Sequence, residues 1–374
     1  AISSVKGDEL SIVTPTSMDN VLKGMVSGVS IISASGQPGE GARIRVRGTG
    51  TINDSNPLYI VDGMPVSGGI AYLNPADIES VEVLKDAASA AIYGSRGANG
   101  VILVTTRRGT EGKASVSYNF SYGWQNAWRK LDMLNATEYA VLANEMAMND
   151  GNAPQYPDPA SFGDGTDWQK EIENRNAPVI NHNISVSGGN NWSNYYISAG
   201  YLYQEGIIGG NYNNSNYERL TLRANNNYSL FDVSDKRDWL NSMRIGTNIS
   251  YTHDKSRSIS SNSERGTVLG SALALSPMLP VYAENPEELL AEHPAAVTDA
   301  DGRPFAIAGD SFAMMPNPVA LLNIPSDTNL SDKLVANMNL ELEIYRGLVF
   351  KTSIGGTLEI YSNDGYELPY YLNS

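Results

Sequence analysis

From residue 113 onward the sequence alternates. Over 115–124, Val116, Tyr118, Phe120, Tyr122 and Trp124 take one parity, and Ser115, Ser117, Asn119, Ser121 and Gly123 take the other. A period of two over that length marks a β-strand with one apolar and one polar face. The pattern returns less cleanly. Ile184 and Val186 alternate with Asn183, Ser185 and Ser187, and Tyr195, Ile197, Ala199, Tyr201 and Tyr203 share one side of the next segment. Leu220, Leu222 and Ala224 oppose Thr221, Arg223 and Asn225, and Met243, Ile245, Ile249 and Tyr251 oppose Arg244, Gly246, Asn248 and Ser250. Leu334 to Ile344 alternates with Asn337, Asn339, Glu341 and Glu343, and Phe350, Ile354, Leu358 and Ile360 close a series of seven predicted strands.

Residues 1–112 follow another grammar. Val21, Leu22 and Met25 recur at helical spacing after Ser17, a natural N-cap, which predicts a helix over 18–25. An Ala-rich stretch over 86–93 predicts a second helix ending at Gly94. Short strands are predicted over 29–33, 43–47, 58–61, 78–84 and 101–106, with turn dipeptides Asp62-Gly63 and Asn99-Gly100 at strand ends. Such a mixture reads as a compact α+β domain.

Alternation alone fits both a soluble β-sandwich and a membrane β-barrel. The connections separate the two. Those over 129–179, 206–216 and 254–330 are long, whereas the intervening ones (189–191, near 234–237 and 345–347) are short. Outer-membrane barrels have short turns at one end and long loops at the other. The second long stretch is rich in Asn, and the first contains a helical segment over 137–148.

Composition narrows the field. Twenty-six Lys and Arg face 41 Asp and Glu, a formal charge of −15, which argues against a nucleic-acid partner. Cysteine is absent, so disulfides, thiolate nucleophiles and Cys-based zinc sites are excluded. Tyr accounts for 21 of the aromatic residues, against six Phe and five Trp. Trp124, Trp128 and Tyr residues at strand ends suit an interfacial aromatic belt, or ordinary core packing. Tyr212 and Tyr217, among Asn213, Asn214 and Asn216, suit sugar stacking or simple loop decoration.

Residues 35–39 (SGQPG), 43–48 (RIRVRG), 56–63 (NPLYIVDG), 73–87 (LNPADIESVEVLKDA) and 91–106 (AIYGSRGANGVILVTT) occur in the order of one known domain. The region resembles the plug of a TonB-dependent outer-membrane transporter of the SusC/RagA type, of the Bacteroidetes lineage. Residues 183–189 (NISVSGG) resemble the family's early barrel. The resemblance implies an integral outer-membrane β-barrel of about 22 strands, with an N-terminal α+β plug (1–112) inside its lumen. Residues 113–374 would then be the N-terminal part of the barrel. Seven strands do not close such a barrel, so the remaining wall is expected as a second polypeptide or as residues outside this chain.

Further expectations come with the resemblance: TonB-dependent import of an oligosaccharide or oligopeptide, a SusD-like surface lipoprotein over the outer mouth, and a plug reached from the periplasm. Residues 1–15 carry no clear TonB-binding segment, which places that contact upstream of residue 1. The alternatives are a passive pore and a soluble carbohydrate-binding or carbohydrate-active sandwich.

No catalytic, cofactor or metal site emerges. His182, His253 and His293 lack ligand spacing, and no carboxylate pair is placed in a cleft. Gly48-x-Gly50 and Gly94-x-x-Gly97-x-x-Gly100 miss the phosphate-loop spacings. Gly48, Asp62, Gly63, Gly94, Gly97, Asn99 and Gly100 are therefore read as plug turn residues. Arg43, Arg45 and Arg47, alternating with Ile44 and Val46, lie on one strand face. Together with Arg96 they are the candidates for contacts with acidic wall residues such as Glu341 and Glu343, or else a solvated charged edge.

Overall fold

A computed structural model of the chain describes residues 2–7, 18–26, 28–33, 35–46, 55–85, 90–231, 239–260, 263, 265–309, 312, 314–345, 347–366 and 369–372. Arg47, Gly48, Ser17, residues 86–89 and the connection near 234–237 lie outside the described residues.

The first hundred residues form a small module around one five-stranded sheet, ordered β1-β6-β7-β4-β5. Its strands are β1 (Ile2–Lys6), β4 (Leu58–Val61), β5 (Met64–Val66), β6 (Ile78–Leu84) and β7 (Val101–Thr106). A separate two-stranded ribbon joins β2 (Val29–Ser33) to β3 (Ala42–Val46). Its core gathers Met18, Leu22, Ile44, Val46, Ile70, Ile78, Val81, Val83 and Ile102, all buried. The predicted helix over 18–25 forms one turn, Met18–Val21. Near the predicted helix over 86–93, the described residues form two short 3₁₀ turns spanning Ala91–Gly97, kinked at Gly94 (φ 61°). Gly94 therefore bends this segment instead of ending a helix.

All seven alternating segments are strands of one antiparallel sheet in sequence order. They are β8 (Gly112–Gln125), β9 (Ala177–Gly189), β10 (Ser193–Glu205), β11 (Asn216–Phe231), β12 (Ser242–Arg257), β13 (Thr328–Tyr345) and β14 (Leu348–Asp364). Each outruns the alternating window that predicted it. The polar ends carry no period-two signal, yet the ladder hydrogen bonds continue through them. The sheet is open: β8 and β14 are its edges.

One sheet face meets the plug, and among the described residues the other meets none of it. The outer face keeps its apolar side chains exposed, as at Val116 (66%) and Ile354 (74%). Its apolar band slopes. Phe120 shares a rung with His182, Tyr201, Leu220, His253, Asp332 and Ile360. On β8 the band runs from Val116 to Trp124, centred on that rung; on β14 it runs from Phe350 to Ile360, entirely at or below it. The drift is about one residue per strand step. With a rise of ~3.4 Å and a strand spacing of ~4.8 Å, it corresponds to strands tilted by roughly 35° from the band's normal. The band is then roughly 22–28 Å tall, near the ~25 Å apolar belt of transmembrane barrels with strands tilted ~35–45°.

The long connections fold. Trp168, Ile172, Val268, Leu275, Phe305, Val319 and Leu322 form a second buried core at the far end of the sheet. Helix Ala136–Asn149 starts with a capping box, Asn135 with Glu138, and Trp168 Nε1 donates to the Ser276 carbonyl at 3.0 Å. This core gives the described residues of the connection of about 70 residues between β12 and β13 a packed interior. Among the described residues no helix is long and apolar enough to cross a membrane, which does not bear on strands.

Candidate functional site

The seam between plug and wall begins at the β4–β5 hairpin. Asp62 (φ 49°) and Gly63 (φ 86°) form a two-residue turn of the mirror-image type that suits strand twist. Since β4 lies parallel to β7, this turn sits beside the end of β7. Asp62 accepts there from the Thr106 amide at 3.0 Å and the Thr106 hydroxyl at 2.5 Å. From the wall, Arg223 of β11 donates to Asp62 Oδ2 at 2.9 Å, and Asn248 of β12 donates to the same oxygen. Arg223 also donates to Asn248 Oδ1 at 2.9 Å and to Thr106 Oγ1. The side chains of Arg223 and Asp62 are only 2% and 4% exposed, so this is a desolvated, charge-assisted junction.

Above it, the wall holds the plug by backbone carbonyls. Arg219 donates to Ala71 O at 2.7 Å, Thr252 to Tyr72 O at 3.2 Å and Lys333 to Ser67 O at 3.2 Å. Lys333 also lies 4.7 Å from the Tyr72 ring centroid, and Val335 packs on the plug core. Met64 sits over Gly355 of β14, where a Cβ would fall 2.5 Å from its Cε. Burial pushes the Tyr72 phenol up from its ordinary value, against the opposing field of Arg223.

A third set of contacts involves the turn at Asn74–Asp77. Asn74 Nδ2 donates to Asn183 Oδ1 of β9 at 2.5 Å, and Tyr196 of β10 donates to Asp77 Oδ1 at 2.9 Å. Asn74 reaches the wall over Gly200, whose missing Cβ would lie 2.3 Å from Asn74 Nδ2. Burial raises the Asp77 carboxyl above the ordinary range, opposed by hydrogen bonds from Ser198 and Tyr196 and by the charge of Arg223. A cavity of about 470 Å³ lies between this turn and β8–β10.

At the plug's other end, the Gln37 amide clasps the wall's third long connection, between β12 and β13. Its Nε2 donates to Ile259 O at 2.8 Å and its Oε1 accepts from Ile259 N at 3.0 Å. Beside the clasp lies a polar cavity of about 550 Å³, lined by Gln37, Glu40, Ser256, Ser258 and Ser260.

Of the arginines singled out from sequence, Arg47 lies outside the described residues. Arg43 and Arg96 are exposed and Arg45 is half-buried. At this seam anionic Asp62 of the plug meets cationic Arg223 of the wall, while Arg219 and Lys333 of the wall hold plug carbonyls. Glu341 faces the plug side and pairs within the wall, with Lys351 at 2.7 Å and Arg244 at 3.5 Å. Asp62, read only as a turn residue, is the hub. Its partner Arg223 had one available signal, a long cationic side chain on the polar parity of its strand; Asn248 had none. Gly63, Gly97, Asn99 and Gly100 lie in turns of the module. His182 stacks near Phe120 at 4.8 Å, His253 pairs with Asp332 at 2.9 Å and His293 stacks on Tyr371 at 3.9 Å, three separate places.

An α+β plug hydrogen-bonded to one face of a tilted sheet, whose other face is an exposed apolar band, defines the class: this chain belongs to the TonB-dependent receptors of the SusC/RagA type, outer-membrane β-barrels with a plug. Residues 1–101 match the TonB-dependent receptor plug domain. Over 95% of its length the chain is 34% identical to the TonB-dependent receptor SusC of Bacteroides thetaiotaomicron, covering 35% of that protein. It is also 34% identical to the TonB-dependent receptor P3 of Formosa agariphila, over 96% of the chain and 32% of the relative. Among solved structures it is similar to the RagAB peptide importer in a closed-closed state, with a TM-score of 0.72 and 25% identity over 96% of the chain and 41% of the other. The chain thus spans about a third of the curated relatives it matches. Those relatives are receptors, not enzymes.

Proposed function

We propose that the protein imports a nutrient across the bacterial outer membrane, driven by TonB acting on the plug. The observation that carries this reading is the character of the seam. Among the described residues, hydrogen bonds and one buried ion pair join plug to wall, and Val335 of the wall packs on the plug core. Polar contacts hold a plug against leakage, and water replaces them when it moves; a dry apolar seam offers no such exchange. A passive pore has no use for a folded module of this size in its lumen.

On this reading the end with short turns faces the periplasm and the folded long connections face outward. Further strands pair with β8 and β14, since open edges in hydrocarbon leave backbone groups unsatisfied. A SusD-like lipoprotein covers the outer mouth. The cargo is an oligosaccharide or an oligopeptide. The polar cavity beside Gln37 suits either, because its serines and amide pair equally with hydroxyls and peptide groups. The peptide importer among its structural relatives favours the second.

The test is purification from native outer membrane in detergent, followed by mass spectrometry of bound chains and ligands. A lipoprotein and a co-purified glycan or peptide are expected. A protein that partitions into water without detergent, free of both, would overturn the reading.

A further inference from the structure

The wall is not uniform around the plug. The plug-facing residues of β8 and β9 are Ser115, Ser117, Asn119 and Ser121, then Asn181, Asn183, Ser185 and Ser187, all short and uncharged. Those of β10 include Tyr196, Ser198 and Gly200, again without charge. From β11 onward the same face carries Arg219, Arg223, Lys333, Glu341, Lys351 and Glu359.

The plug is bonded accordingly. Against β11–β13 it has the Asp62–Arg223–Asn248 junction and three carbonyls held by Arg219, Thr252 and Lys333. Against β9 and β10, among the described residues, it has Asn74 on Asn183 and Asp77 on the β10 hydroxyls. Here the two surfaces stand apart, leaving the cavity of about 470 Å³, a size within the ~300–1,000 Å³ of ligand pockets.

We infer that cargo passes on the β8–β10 side, the plug separating there first while staying anchored on β11–β14. The inference rests on the import reading above and adds where the path lies. Two physical facts set the order of separation. The Asn74–Asn183 bond joins two neutral amides and exchanges with water at little net cost, whereas parting Asp62 from Arg223 strips a buried charge of its partner. Short side chains on β8 and β9 leave room that arginine and lysine fill elsewhere. The chemistry of the path selects its traveller. Serine hydroxyls and asparagine amides donate and accept alike, so they pass a neutral polyhydroxylated or amide-bearing chain from rung to rung. The wall side of this cavity carries no charged side chain; its plug side carries Asp77 and Arg107.

Reversible cross-linking in the whole protein, in its own outer membrane, tests the path. This chain contains no cysteine to interfere. One pair, Asn74→Cys with Asn183→Cys, bridges the neutral side; another, Met64→Cys with Gly355→Cys, bridges β14. Each is closed by a short bis-thiosulfonate and reopened by reduction. Uptake of mixed tritiated oligosaccharides and mixed tritiated oligopeptides is measured before, during and after closure. Closing the first pair should abolish uptake until reduction, and closing the second should leave it intact. Uptake that survives the first closure, or stops with the second because the plug must leave whole, overturns the inference. Ser185→Trp gives an independent arm by filling the cavity: uptake should be lost with surface capture of cargo retained, and unchanged uptake overturns the path. Wild-type protein that takes up neither probe defeats the import reading itself.

Discussion

Asp62→Asn tests what holds the plug in place. In the seated plug, Asp62 receives Thr106, Arg223 and Asn248, and both charges are almost fully buried. The amide keeps an acceptor for the Thr106 N–H but removes the negative charge opposite Arg223. Arg223 retains only neutral acceptors, Asn248 Oδ1 and Thr106 Oγ1. Removing one partner of a buried pair costs about 3–5 kcal/mol. The surviving neutral acceptors place this case near the lower end, about 3 kcal/mol. In the separated plug both groups are hydrated, so the penalty falls on the seated state alone. At ~1.4 kcal/mol per decade, the separated population rises roughly 100-fold. Hydrogen exchange of β4 and β7 amides in the intact protein reads this directly, and leak of a large antibiotic into cells reads its consequence. Adding Arg223→Met removes the stranded charge, and the double variant should recover most of the protection, because apolar replacement of a whole buried pair is near neutral. Exchange in Asp62→Asn within about threefold of wild type, or a double variant no better than the single, would refute the reasoning.

Three other perturbations follow from the same geometry. Burial raises the Asp19 carboxyl from its ordinary 3.8 to about 6, so the folded plug binds this proton more tightly than the unfolded chain does. The plug should therefore gain stability as pH falls from about 6 to 4, with no further change below, and Asp19→Asn should add up to ~3 kcal/mol at pH 7 and erase that dependence in denaturant melts; a variant that melts as wild type does at pH 7 would contradict it. Gly200→Val should expel Asn74, since its Cβ would lie 2.3 Å from Asn74 Nδ2 and 2.7 Å from Thr221 Oγ1. The loss is about 1–3 kcal/mol, seen as faster exchange confined to residues 74–77, and unchanged protection there counts against the contact. Phe120→Lys should destabilise the folded barrel by ~2–4 kcal/mol in heat-modifiability gels while Ser117→Lys on the opposite face does not; equal effects would mean that the outer band does not face lipid.

The wall was legible because a strand's two faces meet two solvents. Where one face meets lipid and the other meets plug and water, every second residue is selected for a different medium, and Val116 to Trp124 records that directly. β5 was missed because three residues carry no period, and β1 because its pairing to β6 is long-range. The 3₁₀ turns at Ala91–Gly97 escaped because alanine content favours helix and only packing forces the kink at Gly94. The folded core of the long connections also lacked a signal: Trp168, Phe305 and Leu322 are far apart in sequence, on connections with no shared period.

Local order and medium are properties of neighbouring residues, so the sequence alone determined the seven wall strands, their apolar face and the separate character of the first 112 residues. Which charges meet is a property of register and of how a module docks. Arg43, Arg45 and Arg96 are as basic as Arg223, yet only Arg223 stands on the β11 rung that brings it to the Asp62 turn. A turn dipeptide became the acceptor of the seam because parallel pairing of β4 with β7 set it against Thr106 and the wall at once. Tertiary structure decided that, since a contact between residues more than 150 positions apart depends on the geometry of everything folded between them.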